Sequence, residues 1–277
     1  MGGQIEIHQL EERARAVRRD IIYMIQQSGS AGHYGGALSC TEILTCLFFH
    51  VMRHRPTQPN WKDRDRFILS KGHAAPALYS VLAECGYFSG EQFATFKKMG
   101  GYLQGHPDMN MTPGVEMSTG SLGMGLSVAV GMALAARLDR RDSRVYVLLG
   151  DGELDEGSIW EAAMAAAHYR LGNITAVIDR NTLQISGTTE ETMRLEPLRG
   201  KWEAFGWAVG EIDGHDIEQI LAALDPAAQL SNKPSLIIAH TIKGKGIGWL
   251  ENKKGSHSTL LTDTQAAEAL HGLEIVG

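Results

Sequence analysis

The stretch VYVLLGDGELDEGSIWEAAMAAAHYRLGNITAVIDRNTLQ, residues 145–184, decides the fold. VYVLL at 145–149 is a continuous apolar run of strand length, and ITAVI at 174–178 is another. Between them SIWE at 158–161 fits a capping box, which predicts a helix running from there to His168. Strand, helix and strand in this order imply a crossover connection and a parallel sheet. Both strands end in chemistry: Asp151 follows the first and Asn181 the second. In open α/β sheets ligands gather at the carboxyl ends of the strands. Neighbouring strands lie about 4.8 Å apart, so these two side chains can converge on one small object.

The pattern continues outward. Downstream, WAVG at 207–210 and SLIIA at 235–239 read as further strands, with a helix near 216–224 between them. Upstream, FILS at 67–70 reads as a short buried strand, and Pro76 opens a helix where its missing N–H is harmless. A helix is expected over Thr41 to Met52. Leu10, Ala14, Val17, Ile21 and Met24 recur at helical spacing in an opening amphipathic helix that stops near 28–32. The apolar run LGMGLSVAVGMALAARL, 122–138, ends in DRRDSR and is short for a membrane span, so it reads as a buried helix. The class is α/β, an open parallel sheet flanked by helices. No repeat, low-complexity tract or linker divides the chain, and residues 1–277 are expected to form a single domain.

Composition narrows the function. The chain is 43% hydrophobic and 21% charged, enough for a sizeable core and unlike a disordered chain. A formal net charge of −6 argues against nucleic acid as a partner. No apolar signal-peptide core opens the sequence, and the expectation is a cytoplasmic protein with no membrane association. Cys40, Cys46 and Cys85 have neither disulfide nor zinc spacing and read as small buried hydrophobes. A nicotinamide site is disfavoured because no G-x-G-x-x-G opens a helix after a strand.

GDGELDEG (150–157) and DRNTLQ (179–184) carry the chemistry. A carboxylate, an amide oxygen and nearby carbonyls are hard donors that suit magnesium or calcium. Asp151, Glu153, Asp155 and Glu156 crowd one loop before a helix N-terminus. Alone they would repel a phosphate, and a divalent cation between carboxylate and diphosphate removes that conflict. Gly150 and Gly152 let the backbone come close.

G-D-G followed about thirty residues later by Asn resembles the thiamine-diphosphate motif, and the surrounding words resemble the N-terminal half of transketolase. The matching pieces are GSAGHYGG (29–36), SKGHAAPALYS (70–80), GHPDMNMTPGVEMSTGSLGMGLSVAVGMA (105–133), GDGELDEGSIWEA (150–162) and DRNTLQISG (179–187). They stand in the family's order and occupy most of the chain. The resemblance implies a thiamine-diphosphate-binding domain of the pyrophosphate type. It implies that Asp151, the Asn181 side chain and the Leu183 carbonyl hold the metal, Mg²⁺ or Ca²⁺. Gly152 and Glu156 correspond to positions near the diphosphate and the subunit interface, with Gly150 beside them as cofactor-binding, Gly120 and Leu122 to the loop against the cofactor, and Ile185 to an apolar contact on the thiazolium side. His33, His73, His106 and His257 correspond to the active-site histidines, with His73 also touching the cofactor. The other seven histidines read as structural.

The resemblance also shows departures. HYGGALS at 33–39 replaces the H-P-G-A-P of full-length transketolases and looks like the short, two-chain form; His257 stands in GSHS where the family commonly has Trp-His-Gly. The similarity covers only the first of the family's domains. It therefore implies a separate C-terminal transketolase subunit of roughly 300 residues, two copies of each chain (α2β2), and ketol transfer between sugar phosphates. The Gly/Ala-rich helix at 122–138 would allow close packing in that assembly, or be an ordinary buried helix. The alternatives are another thiamine-diphosphate carbon–carbon lyase or transferase acting on an unusual sugar, branched or sulfonated, or a cofactor-binding subunit without turnover. A 2-oxo-acid dehydrogenase α-chain or a deoxyxylulose-phosphate-type synthase is a further alternative, and the 105–133 segment argues against the dehydrogenase chain.

Overall fold

The computed structural model describes residues 6–226 and 232–275. Its strands are β1 (Arg66–Leu69), β2 (Val145–Gly150), β3 (Ile174–Arg180), β4 (Ala208–Asp213) and β5 (Ser235–His240). Its helices are α1 (Ile7–Ser28), α2 (Tyr34–Leu38), α3 (Thr41–Cys46), α4 (Ala75–Glu84), α5 (Met124–Leu138), α6 (Gly157–His168), α7 (Thr189–Thr192), α8 (Leu198–Ala204), α9 (Ile217–Leu224) and α10 (Asp263–Ile275). The strands form one sheet in the order β1-β2-β3-β5-β4, parallel at every pairing.

Two apolar layers cover this sheet because side chains alternate along each strand. Tyr146, Leu148, Val177, Ile237 and Ala239 face one layer, where they join apolar residues of α1, α3, α4, α9 and α10. Val147, Leu149, Ala176, Ile178, Leu236 and Ile238 face the other, with α5, α6 and α8. Burial on both faces explains why VYVLL in β2 and ITAVI in β3 are apolar runs rather than alternating ones.

Helix ends follow local chemistry. Gly29 closes α1 with φ +63°, the left-handed cap that glycine adopts without strain. The helix expected over 41–52 runs as α3 to Cys46 and continues as a wide π-turn over Leu47–Val51. The expected capping box of α6 does not form. Glu156 is the N-cap, and the Ser158 hydroxyl donates instead to the Gly123 carbonyl at 3.0 Å. The 122–138 helix is buried on one side only. Leu126, Ala129 and Ala133 pack on the sheet side, while Met124 and Leu138 stand exposed. Cys40 and Cys46 are buried thiols and Cys85 is half-buried.

Candidate active site

Four adjacent strands deliver residues to one cleft at their carboxyl ends. Lys71 and His73 follow β1, Asp151 follows β2, Asn181 follows β3 and Lys243 follows β5. The cleft holds about 530 Å³. Its lining includes His33, His73, His106 and His257, and with them Gly120, Leu122, Gly150, Asp151, Gly152, Glu156, Asn181, Leu183 and Ile185. The candidate residues come from segments far apart in sequence and meet on this one surface.

The histidines form a cluster around His33. Its ring centroid lies 5.5 Å from that of His73, 6.2 Å from His106 and 5.3 Å from His257, and His73 and His257 are 5.2 Å apart. Gly36 makes room for it: a Cβ there would stand 3.0 Å from the His73 Nε2. Burial, with the Lys97 charge second, lowers the His33 pKa to about 4. Burial and Lys243 lower that of His257 to about 4. Burial and Lys71 hold His73 well below the ordinary imidazole value. Burial and Lys97 lower His106 as well. At neutral pH the quartet is a set of uncharged imidazoles, each able to take a proton.

Asp151 ties the two central loops together. Its Oδ1 accepts from the Gly152 N–H at 2.8 Å, and its Oδ2 accepts from the Thr182 N–H at 2.6 Å and from Arg180 at 3.3 Å. Thr182 holds φ +65°, a strained conformation for a β-branched residue. Its carbonyl accepts from the Thr189 N–H at 2.9 Å, so both its backbone groups are anchored. Burial, with the Asp179 charge second, raises the Asp151 carboxyl to about 6. The Asn181 Oδ1 accepts from the Leu183 N–H at 3.2 Å, and its Nδ2 donates to Asp179 at 3.2 Å.

Several residues of the site were missed in sequence. Lys243 donates to the Leu183 carbonyl at 2.7 Å and lies 3.4 Å from the His257 Nδ1. Burial lowers its ammonium to about 8. Lys71 is wholly buried, bonded to Asp179 and, at 2.7 Å, to the Gly36 carbonyl. Glu153, counted among the four acids of the loop, turns inward. It accepts from the N–H of Gly150 at 3.0 Å, from the N–H of Gly123 at 2.8 Å and from Ser70. It locks the glycine loop of 120–123 to the end of β2 and is not free to repel a phosphate. Gln184 packs over Gly152, where a Cβ would meet its Oε1 at 2.6 Å.

The residues suit a metal-bridged diphosphate. Asp151, Asn181 and the Leu183 carbonyl are oxygen donors of the kind a hard divalent ion requires. A cation, the Lys243 ammonium, already rests on one of them. Gly152 and Gly120 keep the cleft wall at backbone height. Among the described residues no cluster of three or more His, Cys, Asp or Glu side chains could hold a metal. A metal here would depend on this mixed set, with one acid, one amide and one carbonyl.

Residues 9–274 match the family model of the transketolase thiamine diphosphate binding domain. The chain belongs to the transketolase family, in its thiamine-diphosphate-binding N-terminal part. It is 46% identical over 268 residues to the 6-deoxy-6-sulfo-D-fructose transketolase subunit SqwG of Clostridium sp. (strain MSTE9), covering 97% of each chain. It is 46% identical over 266 residues to one of the named subunits of the apulose-4-phosphate transketolase of Phocaeicola vulgatus, covering 96% of this chain and 94% of that one. The transketolase of Campylobacter jejuni superposes with a TM-score of 0.91 at 36% identity, over 98% of this chain and 43% of its own.

Proposed function

We propose that this chain is the N-terminal, cofactor-binding subunit of a two-chain transketolase. It transfers a two-carbon ketol unit from a ketose phosphate to an aldose or aldose phosphate. The observation that carries the reading is the histidine cluster sharing one cleft with the Asp151, Asn181 and Leu183 oxygens. Thiamine diphosphate, when bound, supplies an electron sink for the two-carbon carbanion. Asp151, Asn181 and Leu183 would hold Mg²⁺, with Ca²⁺ also compatible, and Lys243 would face the diphosphate. Gly120, Leu122, Gly150, Gly152, Glu156 and Ile185 would wall the cofactor. His33, His73, His106 and His257 would take up and return protons of sugar hydroxyls, a role suited to uncharged imidazoles.

Residues 1–277 act as one domain in this reading, and a separate C-terminal subunit of roughly 300 residues, two typical domains, completes the site in an α2β2 assembly. The subunit names of relatives matched over nearly their whole length support a partner. Among the described residues no helix is long and apolar enough to cross a membrane. We assign the assembly to the cytoplasm and to pentose-phosphate-type sugar metabolism.

A second reading changes only the donor. The relatives at 46% identity are named for a sulfonated and a branched sugar, which favours an unusual ketose here too. The test is ketol transfer to ribose 5-phosphate with thiamine diphosphate and Mg²⁺, by this chain alone and mixed with a transketolase-like C-terminal chain from the same organism. Xylulose 5-phosphate, 6-deoxy-6-sulfofructose and apulose 4-phosphate are compared as donors. Turnover only in the mixture is expected, and the preferred donor decides between the readings. No turnover with any donor, cofactor still bound, would overturn both.

A further inference from the structure

We infer that Arg18 and Glu42, both buried, and the half-buried His215 form a positioning relay that sets Lys243 in the cleft. The inference rests on the reading that Lys243 faces the cofactor diphosphate. The three residues come from α1, α3 and the turn between β4 and α9, and none of them lines the cleft. Arg18 bonds Glu42, and the second carboxylate oxygen of Glu42 lies 3.0 Å from the His215 Nδ1. The far ring nitrogen, Nε2, lies 2.8 Å from the backbone N–H of Ile242. An N–H can only donate, so Nε2 accepts, and the ring proton sits on Nδ1, donated to Glu42.

The relay grips the Lys243 segment on both sides. His215 takes the N–H one residue before Lys243, and the Arg18 Nε donates to the Lys245 carbonyl two residues after it, at 3.3 Å. Two glycines make these approaches possible. A Cβ at Gly214 would meet the Thr241 Cγ2 at 2.4 Å, so the turn carrying His215 presses directly on the segment. Gly246 has φ +93°, and a Cβ there would stand 3.0 Å from the Arg18 Cδ. A plain Arg18–Glu42 ion pair would hold α1 to α3 without any of this. His215 interposed between Glu42 and Ile242 extends that anchor to the loop that aims the ammonium.

The test uses the two-chain enzyme. His215→Phe keeps the ring volume and removes the acceptor. His215→Asn keeps a donor for Glu42 and falls short of Ile242. His215→Gln keeps both a donor and an acceptor at nearly full reach. The Phe and Asn variants are expected to weaken apparent thiamine diphosphate affinity about tenfold, the order of one lost hydrogen bond with its geometry. Turnover at saturating cofactor stays within about threefold, and His215→Gln recovers most of the affinity. Combined with Lys243→Met, His215→Phe is expected to add nothing, because it acts through Lys243. If His215→Phe does not fold, the Asn and Gln pair carries the same comparison. Additive losses in the double variant, or unchanged affinity in the Phe and Asn variants, would overturn the relay. If Lys243→Met alone leaves cofactor affinity unchanged, the underlying reading of Lys243 fails instead.

Discussion

The Nζ of Lys243 lies 2.7 Å from the carbonyl oxygen of Leu183, the third oxygen of the proposed metal set. A divalent ion and this ammonium compete for one carbonyl and repel each other at short range. The diphosphate reverses the balance, since it attracts both cations. Lys243→Met should therefore strengthen the binding of Mn²⁺ or Mg²⁺ alone by severalfold and weaken that of thiamine diphosphate with metal. A charge-assisted hydrogen bond of about 1.5–3 kcal/mol corresponds to roughly a 10- to 100-fold loss in the second case. Titration calorimetry with and without cofactor reads both signs, and a parallel fall in the two affinities would contradict the arrangement.

Beneath the cleft, Lys71 and Asp179 are both fully buried and bonded to each other. Burial would raise the Asp179 carboxyl, and the Lys71 charge more than reverses that, so the pair is ionic. Asp179 also accepts from Ser39 at 2.6 Å and from Thr241. Removing one partner strands the other charge, so Lys71→Met should destabilise the chain by about 3–5 kcal/mol in urea unfolding. Lys71→Met with Asp179→Asn should recover part of that loss, because no charge is then left unpaired. A double variant as unstable as the sum of its parts would mean packing, not charge, is what Lys71 supplies.

Asp151 and Asn181 were legible in the sequence because a parallel sheet puts every strand's last residue at one edge. Lys71 and Lys243 were not, although Lys71 stands in one of the matching pieces, SKGHAAPALYS. Their meaning depends on Asp179, which is 108 positions from Lys71, and on Leu183, 60 from Lys243. Only a lysine directly after a buried strand hinted at the first. Glu153 was misread for a related reason. Four acids in eight residues look like one exposed loop, yet a single 3₁₀ turn over Gly152–Asp155 rotates Glu153 under the Gly123 N–H. That same turn moves the N-cap to Glu156 and defeats the capping box expected at Ser158.

Asp20, on α1, gives the chain a pH-dependent weakness. Burial, with the Glu84 charge second, raises its carboxyl from 3.8 to about 7. The folded state thus holds a proton that the unfolded state has already lost between about pH 4 and 7. Stability from this group falls as pH rises through that window. Asp20→Asn should stabilise the chain at pH 8 by about 1–2 kcal/mol after allowance for solvent screening, and by less at pH 5. Urea midpoints at the two pH values measure it; an equal gain at both would assign the effect to something other than ionisation.

The histidine quartet works in the opposite direction. His33 and His257 have folded pKa values of about 4, below the 6.5 of an unfolded imidazole. Between those values the unfolded chain binds more protons, so their contribution is complete above pH 6.5 and is lost as pH falls towards 4. Because both rings are partly open to the cleft, screening reduces the combined effect to roughly 1–2 kcal/mol. In Asp20→Asn, where one opposing slope is removed and those of Asp151 and Glu153 remain, His33→Gln with His257→Gln should lessen the stability lost between pH 6.5 and 4.5. Nitrogen-15 shifts should show both rings still neutral at pH 5.5. A midpoint near 6.5 for either ring would mean that neither burial nor the Lys97 and Lys243 charges act on it, and that about a quarter of that imidazole is charged at pH 7.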